Sequence, residues 1–442
     1  MRWIVGGLVL AGCGGGLEPC ACPSDVTGHA VELGSQCACL PMATPTPDPE
    51  PLTTFFVDAD AEQGDGSESS PWPIIDWQAV DEALVSGDVH IRFDPTDTWR
   101  ERVDIHRTDT GPFRVTLFGG VGDERAQVPG MHTGFDFVAR HRVTVRGFDI
   151  TGARDKGIYW VGGDGVVIED NWLHDNRGTP LLSFEYSART GLESDGFTVR
   201  NNHLWDQTGE CLYIGGSEGE DADSHTNVTV ENNLIHGCTH WLSSQNDGIN
   251  IKDRMTGVVV RNNVVIGGDW SIEVASEGVY EGNLTLDSER EGFHVSDGFQ
   301  RLPSLLFRDN VSIGAGEEGF KLSADVEATG DITVERLTIA DAGDRAIGIG
   351  GSFDVSAVFR DVVVANSPIA FDGWGQGDIT IDGCATTEDV QDHDRLFEGR
   401  EACDDVAPAD LSAPAGPDNV FFTQDDPWLA LGGARLLEVE DR

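Results

Sequence analysis

The sequence predicts an all-β fold, a solenoid of stacked parallel strands, on three observations. The first is a charged residue that recurs with alternating sign: Arg146, Glu169, Arg200, Glu231, Arg261, Glu281, Arg308, Glu335, Arg360 and Asp382. Strands in register lie about 4.8 Å apart, where opposite charges attract and like charges repel. Unbroken alternation therefore means that each charge sits beside the next. The second is that most of these charges close an apolar–x–apolar triplet (VTVR, VVIE, FTVR, VTVE, VVVR, LLFR, ITVE, ITID), with weaker versions in GVYE and AVFR. A period of two in a short apolar run is strand, not helix. The third is the interval between the charges, which varies from 20 to 31 residues. Helical-pair repeats keep a stricter period.

The elements follow in chain order. Residues 1–13, MRWIVGGLVLAGC, have a charged start and a short apolar stretch, the pattern of an export signal rather than a membrane span. LAGC resembles the lipobox of bacterial lipoproteins, which implies lipidation of Cys13. Residues 14–54 hold two CAC motifs, at Cys20, Cys22, Cys37 and Cys39, and then a Pro-rich stretch. The four cysteines are expected to form a small separate disulfide knot, since one-residue spacing is unlike zinc sites, and PMATPTPDPEP is expected to be a semi-rigid tether. Residues 76–86 have helical spacing at Trp77, Val80 and Leu84, a short helix that would cover the open end of the solenoid. The solenoid itself spans 55–385, and 386–442 form an irregular capping segment. Cys211 with Cys238 should staple adjacent coils, and Cys384 with Cys403 should tie down the end.

Within the coils, Asn171, Asn202, Asn233, Asn263, Asn283 and Asn310 follow the charges. Asn tolerates the left-handed backbone of a sharp turn and can hydrogen-bond along a stack. A second strand recurs in each coil: GIYW, CLYI, GINI, SIEV, GFHV, GFKL and AIGI. These patterns, VxVRNN and DGIxI above all, resemble the pectin-lyase-like superfamily of right-handed parallel β-helices over residues 55 to about 385. The entry segment FFVDADAEQGDGSESSPW is similar to the opening of many bacterial members. The resemblance implies a right-handed parallel β-helix; a fold does not by itself assign an activity.

The net charge of −48 excludes nucleic acid and anionic lipid surfaces as partners. It fits a salt-rich habitat or divalent-cation binding. Contact with the membrane is expected through the lipid anchor only, on an exported monomer at the outer membrane or cell surface.

The chain has three lysines, Lys156, Lys252 and Lys321, all in or beside the second strand of a coil. Aligning those strands by their apolar pairs sets Tyr213, Asn250, Glu273, His294, Lys321 and Gly348 in one row on the face away from the core. Asp247, Glu291 and Glu318 form a parallel row, with Asp253 and Asp297 at the far edge. Such a stripe suits a polysaccharide lyase: Asp247, Asn250 and Glu273 would hold Ca²⁺ against a uronate carboxylate, Lys252 or Lys321 would be the base, and His294 would assist the leaving group. The run INIKDRMTGVVVRNN is similar to the Lys-bearing turn of alginate and chondroitin lyases, without their downstream Arg motif. A glycoside hydrolase would need two carboxylates. Asp247 in NDGI resembles the first Asp of polygalacturonases, whose second Asp and Gly-His-Gly are missing here. The plainer alternative is a solvated charge ladder on a non-catalytic glycan-binding or structural envelope protein. Tyr213, Trp241 and Trp270 are candidate sugar-stacking residues, with Tyr186, Trp172 and Trp205 nearby, whereas Trp160 follows the inward register. The expected function is recognition of an extracellular polysaccharide, with calcium-assisted β-elimination as the expected chemistry.

Overall fold

The computed structural model describes residues 20–387 apart from short segments, among them 43–49, 185–193, 216–224, 240–245, 297–303 and 325–330, together with 403–405, 414, 421, 422 and 426. The chain winds as a right-handed β-solenoid. All nine steps of the charge ladder are in register, from Arg146 opposite Glu169 through to Arg360 opposite Asp382. The central coils carry three strands each, one more than the sequence pattern revealed. In one coil these are Val258–Arg261, Val264–Ile266 and Trp270–Val274, and in the next Gly278–Glu281, Leu284–Leu286 and Glu291–Ser296. The third strands stack into a separate 11-stranded sheet.

The Asn ladder forms, with one correction to its turn chemistry. The left-handed position is the residue directly after the charge: Asp170, Asn201, Asn232, Asn262 and Asp309 have φ of 53, 54, 54, 53 and 56°. The next residue is the buried Asn. Its side-chain N–H₂ donates to the Asn one coil on, from Asn171 through Asn202, Asn233 and Asn263 to Asn283 and Asn310, at 2.9–3.1 Å. Each turn thus satisfies buried backbone and side-chain groups along the axis instead of leaving them unpaired.

Inside, apolar residues of the three walls interdigitate. Trp160 is buried and stacks on Phe197 of the next coil, with centroids 4.3 Å apart, in line with its inward register. The helix Trp77–Leu84 is capped by Asp76 and buries Val80 and Leu84 against the first coils. All four disulfides are present: Cys20–Cys37, Cys22–Cys39, Cys211–Cys238 and Cys384–Cys403.

The N-terminal cysteines do not make a separate knot. They brace the antiparallel strands Gly28–Leu33 and Gln36–Pro41, and this hairpin packs on the outside of the solenoid. Val31, Ala38 and Leu40 cover Leu234, Val264, Leu284 and Val311, an apolar row that faces away from the interior. His29 bonds the Asn201 carbonyl at 2.6 Å, and the Phe421 N–H donates to the Cys39 carbonyl at 2.8 Å. An exposed apolar row would cost burial energy, so the docked hairpin is a stabilising cover. Cys13 and most of the Pro-rich tether lie outside the described residues.

Candidate functional site

The stripe is in register. Tyr213 pairs with Asn250, Asn250 with Glu273, Glu273 with His294, His294 with Lys321, and Lys321 with Gly348. Its residues do not all stand in solvent. Asn250, Glu273 and His294 are buried, as are Asp247, Glu291 and Glu318 of the neighbouring row, while Tyr213, Trp270, Lys252 and Lys321 form a half-buried rim. The arrangement is a charged floor beneath a rim of two aromatic and two cationic side chains.

The floor holds two groups of charge. In the first, the Asn250 amide donates to Glu210 Oε1 at 2.9 Å and to Asp247 Oδ2 at 2.8 Å. Glu210 and Asp247 both face this amide, and their like charges oppose ionisation of both. Burial is the main cause that raises both pKa values, and Glu273 adds repulsion, so Asp247 stands well above the usual carboxylate range. Asp247 Oδ1 and Asn250 Oδ1 are buried without a partner. Lys252 Nζ lies 3.1 Å from Glu273 Oε2, and Ser296 donates to the other oxygen at 3.0 Å.

In the second group, Lys321 is bonded to Glu291 and lies 3.7 Å from Glu318. Arg290 reaches Glu291 and Glu317 at 3.5 and 3.3 Å, and Arg345 reaches Glu318 at 3.4 Å. His294 donates to or accepts from Ser323 at 2.6 Å and leaves Nδ1 unpartnered. Trp270 packs on its ring at 4.4 Å, and Trp270 Nε1 is also without a partner. Burial first, then the nearby Lys321, Arg290 and Lys252, push His294 down to about 3.

These contacts revise the expected roles. A lyase base needs a lysine with a lowered pKa. Burial does act in that direction on Lys252, but Glu273 and Glu210 outweigh it and its pKa rises. Lys252 and Lys321 are ion-pair partners within the floor. The expected calcium ligands Asp247, Asn250 and Glu273 are neighbours on the stripe, with Asp247 Oδ1 and Asn250 Oδ1 unpartnered. Asn250 turns its N–H₂ toward Glu210 and Asp247, and Lys252 already sits on Glu273. Among the described residues, the carboxylates that converge as a metal ion would need are Glu291, Glu317 and Glu318, and there Lys321 and Arg290 supply the positive charge. Trp241, Tyr186, Asp253 and Asp297 lie outside the described residues. Trp172 and Trp205 belong to a different wall, where Trp172 pairs with His203 and Trp205 with His174 and His236. Glu210 was not singled out in the sequence: it stands next to Cys211, and its contact with Asp247 spans a whole coil. A cavity of about 390 Å³ lies away from the stripe, against Phe56, Arg92, Phe118 and Glu124.

The model of the right-handed β-helix region matches residues 131–325 and 190–386, more than half of the chain. The chain belongs to this family of right-handed β-helices. No curated protein sequence matches it. Among solved structures, this β-helix is similar to a lacto-N-biosidase from Eubacterium ramulus, at 9% identity over 80% of this chain and 67% of the other, with a TM-score of 0.46. An alginate lyase from a Paenibacillus species shares 15% identity over 75% and 99%, with a TM-score of 0.45. A pectate lyase shares 12% over 88% and 90%, with a TM-score of 0.39. At these identities the likeness concerns the fold alone.

Proposed function

We propose that this β-helix protein binds an extracellular polysaccharide along the stripe and hydrolyses it by carboxyl-group acid catalysis. The observation that carries the reading is the Asp247 carboxyl: buried, with Oδ1 unpaired, and with its pKa raised well above the ordinary carboxylate range by burial first and then by Glu273 and Glu210. A protonated carboxyl is what a glycosidic oxygen needs from a general acid, and the substrate oxygen would supply the partner that Oδ1 lacks. Glu210 repels a second negative charge beside it and so helps to keep a proton on Asp247, available at the unpaired Oδ1. Glu273 is the second carboxylate.

Electrostatics favours hydrolysis over β-elimination. Elimination builds negative charge on a carbon beside a carboxylate, and the cations of the floor, Lys252, Lys321, Arg290 and Arg345, are each already paired with one of its carboxylates. Hydrolysis builds positive charge on the sugar ring, which the same floor stabilises. A neutral glycan fits this surface better than a uronate polymer. Tyr213 and Trp270 are the sugar-stacking residues of the rim. The proposal includes export and anchoring through lipidated Cys13 at the cell surface.

The test is to incubate the purified protein with neutral and uronate polysaccharides, following both reducing ends and the ultraviolet absorbance of unsaturated uronates. New reducing ends from a neutral polymer, lost in Asp247→Asn while glycan binding persists, support the reading. Unsaturated product from a uronate polymer overturns it in favour of a lyase. Binding without turnover of any polymer leaves the non-catalytic glycan-binding alternative standing instead.

A further inference from the structure

Outside the stripe, one pair of side chains has a geometry that ordinary packing does not require. His203 and His236, on adjacent coils of the second wall, point Nε2 at Nε2 with 2.9 Å between the atoms. Both rings are half-buried at the surface and held in place. His203 leans on Trp205 at 4.3 Å and on His29 of the docked hairpin at 5.3 Å, and His236 lies nearly parallel to Trp205, 15° between the planes. Beyond Trp205, His174 stacks on its opposite side at 4.2 Å, and there Asp149 and Asp175 engage both of its ring nitrogens. His174 is therefore committed elsewhere, and so is His29, whose Nε2 bonds the Asn201 carbonyl.

We propose that His203 and His236 form a two-histidine site for a divalent transition-metal ion that favours right-angle coordination, such as Cu²⁺, with water in the remaining positions. Imidazole nitrogens bind such ions at about 2.0–2.1 Å, and two bonds of that length at a right angle place the nitrogens about 2.9 Å apart. A tetrahedral ion would need them about 3.3 Å apart, so Zn²⁺ fits less well without movement. Both imidazoles are neutral in the working range: burial holds His236 down to about 4 and His203 well below its usual value. Protons therefore compete weakly for the site. In the metal-free pair one Nε2 carries the hydrogen. Binding moves that hydrogen to Nδ1 of the same ring, a change of tautomer that releases no net proton and frees both lone pairs. The stacked tryptophan and the hairpin fix the ring planes, so little ordering remains to be done on binding.

The experiment is a titration of the full chain, stripped with chelator, with Cu²⁺ and separately with Zn²⁺. One Cu²⁺ per chain is expected, with a paramagnetic spectrum split by two equivalent imidazole nitrogens and an affinity at least tenfold above that for Zn²⁺. His236→Gln, which can keep a hydrogen bond to His203, is expected to lose at least tenfold in Cu²⁺ affinity with little change in thermal midpoint. If His236→Gln binds Cu²⁺ as the unaltered protein does, or if the unaltered protein shows one nitrogen or none in the spectrum, the site does not exist. The spectrum of the unaltered protein decides the matter even if the variant folds poorly.

Discussion

Arg200 donates through Nε and Nη2 to a single oxygen of Glu169, at 2.7 and 2.6 Å, across the step between successive coils. Arg261 does the same to Glu231 and Arg308 to Glu281. Each arginine thus reaches back to the glutamate of the coil before it, so the alternating row resolves into tight pairs. The glutamates are nearly buried, whereas the arginines keep an edge in solvent.

That asymmetry predicts a gradient of stability effects along the row. Arg200→Met removes the close partner of Glu169, whose side chain is 4% exposed, and leaves it only the looser contact with Arg146 at 3.8 Å. Breaking a buried pair costs about 3 kcal/mol or somewhat more. Arg360, 45% exposed and 2.9 Å from Glu335, forms an ordinary surface pair worth about 0–1 kcal/mol. Urea denaturation of Arg200→Met and Arg360→Met should separate the two by more than about 2 kcal/mol, and adding Glu169→Gln to Arg200→Met should recover part of the loss. Equal midpoints for the two single variants would mean that the row contributes only at its surface.

The Asn ladder makes a second prediction, in which position matters more than identity. Asn233 donates to Asn263 Oδ1, to the Val199 carbonyl and to the Glu231 carbonyl, and accepts from the backbone and side chain of Asn202. Asn233→Ala strands several buried groups at once, each at a cost of about 1–3 kcal/mol. Asn310 also bonds the Tyr280 carbonyl, but Leu337, directly before Thr338, stands where the ladder would continue. Loss of stability should be larger for Asn233→Ala than for Asn310→Ala. Hydrogen exchange should show the loosened amides clustered at the coils of Asn202 and Asn263.

The charge row, the Asn row and the polar stripe were legible in the sequence because each puts one chemically distinct residue at a fixed place in every coil. The second wall was not. Val264–Ile266 and Leu284–Leu286 are three residues long and begin directly after the ladder Asn, so in sequence they continue the first strand. The outward apolar row of Leu234, Val264, Leu284 and Val311 is indistinguishable in sequence from core, and nothing in CAC spacing says that a hairpin will cover it. The stripe residues fall in the expected register, whereas their protonation is set by contacts that the sequence does not display. Whether Lys252 is a base or an ion-pair partner depends on Glu273 and Glu210 in neighbouring coils, a matter of distance rather than of motif. Glu210 itself gave no signal, because its partner Asp247 lies one full turn away.

The Asp247 carboxyl links activity and stability to pH with a definite sign. Its native pKa is raised above the unfolded value, so the native state binds the proton more tightly. The stabilisation is full below the unfolded pKa of about 3.9 and is lost as pH rises through the native value. Hydrolysis should fall over the same rise, as the proton donor ionises. Asp247→Asn should remove activity and also flatten the decline of stability on the alkaline side. A variant that loses activity but keeps the full decline would place the titrating carboxyl elsewhere, at Glu210 or Glu318, both also raised by burial.

The docked hairpin should respond to acid in the opposite sense. His29 is buried against the solenoid, and burial holds its pKa at about 4, with the Asn201 carbonyl and Asp170 opposing that shift and Arg125 adding to it. The charged and titratable groups facing it are Arg125 and Asp170, bonded to each other at 2.8 Å, and His203. A group whose native pKa is depressed contributes stability that is present above the unfolded value, about 6.5 for histidine, and lost as pH falls toward the native one. Between pH 6.5 and 4 the hairpin contact should therefore weaken steadily, because the free hairpin takes up a proton that the docked one excludes. Hydrogen exchange at the amides of the hairpin strands Gly28–Leu33 and Gln36–Pro41 should accelerate over this range. His29→Phe keeps a ring against His203 and has no proton to gain. It should make hairpin protection independent of pH across the window while leaving the solenoid's own denaturation profile unchanged. Protection that still falls with acid in His29→Phe would assign the effect to His203.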